Sequence, residues 1–313
     1  MNRKGTGLSF ALAVLAALVA SVNASPAAAS PRWSDWSTPV PLSTLNTAAE
    51  EQTAAVSKDD LVLYFSSDRS GGQGGTDIWV SYRASTAEPW GAPMNLGTAM
   101  NTAGNEAGPA LSRDGHWLFL SSDRADGMGL NDIWVAYRQH THEDFGGFGW
   151  QQAMPVAGVN TVFGEAGPSY FQDDGTGRAF LFFQSGGRPG GLGATDIWVA
   201  EQLEDGSFGT ASNVTALNTT RGEQRPTIRH DGLEIVFMSN RAGGLSHIWS
   251  ATRESTTAEW STPTEVASVK STQSDQYPYL SADGQTLYFG RSAAVGAPGD
   301  LYVATRTREA GKP

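Results

Sequence analysis

One segment recurs five times along this chain, and that repetition restricts the fold more than any other property of the sequence. Segments beginning WSTPVPL at Trp36, WGAPMNL at Trp90, WQQAMPV at Trp150, FGTASNV at Phe208 and WSTPTEV at Trp260 start 54, 60, 58 and 52 residues apart. Each is followed by the same order of features. An Asn-Thr turn comes first at Asn46, Asn101, Asn160 and Asn218, with Lys270-Ser271 in the fifth copy. Five residues on stands an acid: Glu51, Glu106, Glu165, Glu223 and Asp275. A short strand follows (AGPALS in the second copy), then an Asp-Gly turn in most copies. Next come an apolar strand (LVLYFSS, HWLFLSS, AFLFFQS, EIVFMSN, TLYFGRS), a glycine-rich hairpin and a DIWV-like strand.

The apolar runs are four to seven residues long, rich in Leu, Val, Phe, Tyr and Trp, and bounded by Gly, Asp or Ser, which is the pattern of short strands. No helical periodicity of useful length appears beyond the N-terminal leader. Four strands per copy predict twenty strands in an all-β, five-bladed β-propeller with four-stranded antiparallel blades. Eight of the ten tryptophans occupy two repeat positions, which places them as packing between blades. The phase of the repeat adds a further expectation. The chain opens on an outer-strand segment and ends after a third strand, DLYVATR, so the N-terminal strand is expected to complete the fifth blade and close the ring.

Residues 1–30 read as a signal peptide and 31–313 as a single propeller domain. Arg3 and Lys4 precede an apolar run from Leu8 to Val22, with small residues for cleavage at Ala24 or Ala27–Ala29. Secretion or delivery to a periplasm is therefore expected, with no membrane span in the mature chain. Cysteine is absent, which excludes disulfides, thiolate metal sites and cysteine nucleophiles. The formal charge is −11, and losing Arg3 and Lys4 with the leader makes it −13. That field opposes phosphate backbones, so no nucleic-acid partner is expected. A monomer is expected.

The blocks YFSSDRSGGQGGTDIWVSYR and FLSSDRADGMGLNDIWVAYR, with the turns LSRDGHWLFLSSDR and LSADGQTLYFG preceded by Pro109 and Pro278, resemble the Pro-Asp variety of WD-like propeller repeat found in the TolB family. The resemblance runs from about Trp36 to Arg306. It implies a propeller fold and extracytoplasmic binding of proteins or association with carbohydrate. The copy number differs, since TolB has six blades and a further domain.

Two sets of repeated charges are expected to converge on the mouth of the central channel as ligand-binding residues. One is the acid ring Glu51, Glu106, Glu165, Glu223 and Asp275. The other is a ring of arginines, Arg69, Arg124, Arg188, Arg241 and Arg291, whose register slips in the third and fifth copies. Three roles suit the acids: pairing with a neighbouring arginine or amide to lock the blades, holding a cation such as Ca2+, or general acid and base chemistry on a glycoside. The Asp of each DIW or DLY (Asp77, Asp132, Asp196, Asp300) is expected to accept hydrogen bonds from its glycine-rich hairpin. His247 replaces it in the fourth copy, beside a shorter hairpin. His230 reads as an exposed turn residue on the far face. His140, His142, Glu143 and Asp144 lie in a solvated loop, and Asn213 and Asn218 fit glycosylation sequons.

No GxSxG elbow, HExxH helix or phosphate-binding loop is present. The sequence therefore favours a non-enzymatic propeller that binds a protein or polysaccharide at the channel mouth. The alternatives are a carbohydrate-active hydrolase or lyase, and an accessory module of an envelope complex.

Overall fold

The computed structural model describes residues 32–141, 149–292 and 298–309. The expected signal peptide therefore lies outside the described residues, as do His142, Glu143 and Asp144. Among the described residues the secondary structure is twenty strands in five antiparallel four-stranded sheets. Blade 1 comprises β2 (Glu51–Val56), β3 (Val62–Ser67), β4 (Asp77–Tyr82) and β5 (Met94–Asn95). Blade 2 comprises β6 (Glu106–Leu111), β7 (Trp117–Ser122), β8 (Asp132–Tyr137) and β9 (Met154–Pro155). Blade 3 comprises β10 (Gly164–Gln172), β11 (Ala179–Gly186), β12 (Asp196–Glu201) and β13 (Ser212–Asn213). Blade 4 comprises β14 (Glu223–Ile228), β15 (Glu234–Ser239), β16 (His247–Thr252) and β17 (Thr264–Glu265).

The fifth blade is the composite one. β18 (Ser274–Leu280), β19 (Thr286–Ser292) and β20 (Gly299–Thr305) come from the C-terminal end, and β1 (Val40–Pro41) supplies the outer strand by pairing Val40 with Val303 and Pro41 with Tyr302. The contact continues beyond that ladder. Ser37 N–H donates to Thr305 O (2.7 Å), Ser34 N–H to Thr307 O (3.0 Å), and Trp33 bridges Arg308. The ring is thus closed by the N-terminal strand, as the phase of the repeat predicts. Each outer strand is only two residues long, shorter than the repeated segment suggests. Prolines explain this in part: Pro39 and Pro41, Pro93, Pro155 and Pro263 cannot donate to a ladder, and an outer edge tolerates them.

The core is divided among the wedges between blades. Five buried clusters each draw on two neighbouring sheets; one joins Tyr64, Ile78 and Val80 of blade 1 to Leu118, Leu120 and Trp134 of blade 2. Another joins Leu63 and Phe65 of blade 1 to Tyr288 and Leu301 of blade 5, which seals the ring. The repeated tryptophans sit here as expected, and arginines from the ends of third strands stack on several. Arg83 lies over Trp90, Arg138 over Trp150 and Arg253 over Trp260, each within 4.3–4.4 Å of a ring centroid.

Candidate functional site: the central channel and its two mouths

The five inner strands β2, β6, β10, β14 and β18 start at the same end of the ring, called the upper mouth here. The ten repeated charges lie beside it, but inside the blades. Glu51, Glu106, Glu165, Glu223 and Asp275 have no exposed surface at all. Glu106 shows why. Its Oε2 accepts from Thr102 N–H (2.7 Å), and its Oε1 accepts from the Thr102 hydroxyl (2.7 Å) and the Ser122 hydroxyl (2.7 Å), with Arg124 Nη2 at 3.3 Å. Glu51, Glu165 and Glu223 repeat this set with Thr47, Thr161 and Thr219, with Ser67, Ser185 and Ser239, and with Arg69, Arg188 and Arg241.

Each arginine also caps a backbone carbonyl; Arg69 donates to Leu45 O at 2.7 Å and Arg291 to Val269 O at 2.8 Å. Burial pushes the guanidiniums of Arg69, Arg124 and Arg241 down from their ordinary range, and the paired glutamate opposes that. The slipped arginines keep the same role. Arg188 reaches Glu165 from a longer strand at 3.6 Å, and Arg291 donates through Nε to the shorter Asp275 at 2.7 Å. The sequence thus brings the right pairs together, as internal latches whose oxygens are occupied by protein donors. Among the described residues no group of three or more His, Cys, Asp or Glu side chains converges as a metal site.

The asparagine that precedes each latch, read from sequence as a turn residue, does more. Asn101 Oδ1 accepts from Ile78 N–H (2.8 Å) while its Nδ2 donates to Ile78 O (3.0 Å), clasping blade 2 to the third strand of blade 1. Asn46, Asn160 and Asn218 clasp Leu301, Ile133 and Ile197 in the same way. Asn218 is therefore buried in a clasp and is not an open glycosylation acceptor. Asp77, Asp132 and Asp196 accept from hairpin amides as expected, at Gln73, Met128 and Leu192. His247 instead meets Asp275, with Nδ1 3.1 Å from Oδ2. The shorter aspartate leaves space for the ring, so the exchange belongs to the fifth latch as well as to a shortened hairpin.

The channel wall itself is built differently. Two residues after the acid, each inner strand carries a β-bulge, and the residue there has a left-handed backbone. The five are Thr53 (φ 51°), Gly108 (66°), Gly167 (61°), Arg225 (52°) and Tyr277 (54°). Glycine adopts this conformation without penalty, whereas a β-branched threonine, an arginine or a tyrosine is strained by it. Three copies thus keep a side chain where the other two show that glycine suffices. The Arg225 side chain crosses the channel. A β-carbon added at Gly167 would lie 2.8 Å from Arg225 Cδ, and one at Gly108 would lie 2.2 Å from Nη1. The guanidinium carbon sits 5.3 Å from the centroid of the Tyr277 ring, and the bulge amide of Arg225 is held by Gln184 Oε1 (2.9 Å).

Around these residues is a small cavity of about 30 Å³, walled by Thr53, Gly108, Gly167, Ser169, Arg225 and Tyr277 among others, with no carboxylate in its lining. Arg225 and Tyr277 are functional candidates that sequence reasoning passed over. The signal was present: they are the off-pattern members of an otherwise small-residue position. At the rim stands Glu50, half-buried, whose carboxyl is held above the usual range by burial and by Asp68 and Glu51.

The lower mouth is also basic. Lys58, Arg113 and His230 line a second cavity of about 70 Å³, and Arg113 pairs with Asp174. His230 sits at the far end as expected, but it is not a freely exposed turn residue. Its Nε2 is buried without a partner, and burial together with Arg113 and Lys58 pushes its pKa below the ordinary histidine value.

No known family model matches this chain, and no curated protein matches it. Solved structures do. The alpha-L-arabinofuranosidase from Lactobacillus brevis superposes with a TM-score of 0.58 at 10% identity, over 88% of this chain and 98% of that one. The GH43_1 enzyme from Xanthomonas citri complexed with xylotriose gives 0.55 at 16% identity, over 88% and 91%. The putative TolB from Agrobacterium tumefaciens gives 0.46 at 16% identity, over 81% and 76%, a likeness too loose to carry an argument. At these identities the similarity establishes the fold: this chain is a five-bladed β-propeller that spans nearly the whole length of the two glycosidase chains it resembles.

Proposed function

We propose that this protein is an exported propeller that recognises a saccharide at the upper mouth of its channel and releases it uncleaved. One observation carries the reading. At the bulge position, where glycine removes all strain, Thr53, Arg225 and Tyr277 are kept in left-handed backbone at a cost of about 1 kcal/mol or more each. A side chain retained against strain at a cavity wall is retained for what it contacts. A phenol ring offers a face for a pyranose and a guanidinium offers donors for its oxygens. The similarity to sugar-cleaving propellers, one of them holding xylotriose, supports a carbohydrate ligand over a protein.

Cleavage has a separate support and a separate difficulty. The neighbours are glycosidases, and Glu50 has the raised carboxyl pKa that suits a general acid. Glycoside hydrolysis, however, generally uses two carboxyl groups facing each other across about 5–10 Å. The cavity lining supplies none, and the repeated acids are sealed in latches.

Titration calorimetry and product analysis with xylotriose and arabinoxylan fragments separate the two readings. Binding without new reducing ends supports recognition. Turnover that disappears in Glu50→Gln replaces it with hydrolysis. Absence of binding to any of a broad neutral and acidic saccharide panel overturns both.

A further inference from the structure

Arg225 is a cation without a counter-ion. Its Nη1 is buried and has no hydrogen-bond partner, and among the described residues its guanidinium makes no hydrogen bond or ion pair. Burial pushes its pKa down from the usual arginine range, and the one group that pulls it back is the Tyr277 phenol. Elsewhere in the ring the protein treats buried guanidiniums differently. Arg69, Arg124, Arg188, Arg241 and Arg291 each face a carboxylate. Arg225 as a whole is only part-buried, but its Nη1 is sealed from solvent and finds no acceptor, and the residue is held on a strained backbone.

We infer that the missing partner is the carboxylate of an acidic sugar, so that the saccharide of the upper mouth is a uronate. This rests on the saccharide reading above and deepens it. The space fits the group. About 30 Å³ admits roughly two water molecules, enough for a planar carboxylate but not for a sugar ring. The ring then stays at the mouth, beside Tyr277, while the carboxylate descends to Arg225. A carboxylate matches the flat fork of a guanidinium with two parallel N–H···O bonds. A phosphate or sulfate is less suited, because the remaining wall, from Gly108 and Gly167 to four prolines, offers few donors for a third oxygen. Among the described residues no carboxylate, Glu50 included, lies within ion-pair distance of the Arg225 guanidinium. A protein with a formal charge of −11 that keeps carboxylates out of the lining of this cavity has a pocket suited to an anion and a surface that repels most others.

The test uses matched probes: oligogalacturonate and oligoglucuronate, each beside its methyl ester, with acetate as a plain carboxylate and xylotriose as a neutral sugar. Calorimetry on the wild-type protein should give acid forms that bind on the order of tenfold tighter than their esters. Arg225→Gln should remove that preference at an unchanged melting temperature, and Arg225→Lys, which keeps charge but loses the fork, should retain part of it. Equal affinity for acid and ester overturns the uronate inference and leaves saccharide recognition standing. So does binding of xylotriose alone, and so does an acid preference that survives in Arg225→Gln. Acetate binding as tightly as the uronates also overturns it, since the sugar then contributes nothing. Silence across the whole panel removes the underlying saccharide reading too.

Discussion

Two layers of this ring lie two residues apart in every inner strand and obey opposite rules. The latch layer repeats itself: an acid, a hydroxyl turn residue, an arginine and, in four copies, an asparagine clasp. The bulge layer does not. It holds Thr53, Gly108, Gly167, Arg225 and Tyr277, three of which strain the backbone. Every latch carboxylate is saturated by protein donors, whereas Arg225 carries a buried nitrogen with none. A fivefold fold needs five equal joints, and equal joints are poor recognition elements because a ligand is rarely fivefold. Recognition requires that the equivalence be broken, and the bulge layer breaks it. Regularity therefore marks the frame, and irregularity beside it marks the site.

Substitutions can press on that contrast. The largest effect is expected in the frame. Glu106→Gln leaves Arg124 buried without its charge partner and should cost about 3 kcal/mol, read as a lower urea midpoint with an unchanged slope. A loss below about 1 kcal/mol would move the latch out of the frame. Asn101→Ala removes two bonds to the Ile78 backbone and strands that amide pair at a blade joint; about 2 kcal/mol is expected in the same measurement. The smallest effect should come from the bulge layer. Arg225→Met keeps much of the volume and discards an unpaired cation, so stability should change by no more than about 0.5 kcal/mol or rise slightly. A large loss there would show that Arg225 serves the frame, and the contrast between the layers would collapse.

The lower mouth gives a gentler probe. The folded pKa of His230 lies below its unfolded value, near 6.5, so the unfolded chain binds the proton more readily. Stability should therefore fall as pH drops through about 6.5, and His230→Gln should flatten that part of the profile. Comparison of melting temperatures for the two proteins between pH 7.5 and 5.5 checks the difference.

Much of the frame was legible before any coordinates. Strand order, blade number and the closing strand follow from a repeat whose phase begins on one strand and ends on another. The pairing of Glu51 with Arg69, or Asp275 with Arg291, was legible as co-repeating charge. Its burial was not, because a charge at the start of an inner strand has the same sequence signature whether it faces the channel or turns into the blade. What decides is the threonine or serine four residues earlier, whose amide and hydroxyl take both carboxylate oxygens. Asn101 read as a turn because nothing local distinguishes an asparagine that shapes its own loop from one that clasps a neighbour. Arg225 and Tyr277 escaped for the opposite reason. A search for repetition discards the position that varies, and the bulge that turns that position into the channel is a register shift visible only in the ladder.

The closing strand also has a kinetic side. Asn46 clasps Leu301 across 255 positions of chain, and β1 finds its partner only in β20. A chain that emerges from its N-terminus therefore carries its first strand unpaired until nearly everything else has been made. Each earlier blade can form locally by hairpins, yet the sealing wedge between blades 5 and 1 waits for the last residues. Folding should accordingly show a slow final phase that reports ring closure, and before it the exposed edges of blades 1 and 5 are where two copies would exchange strands.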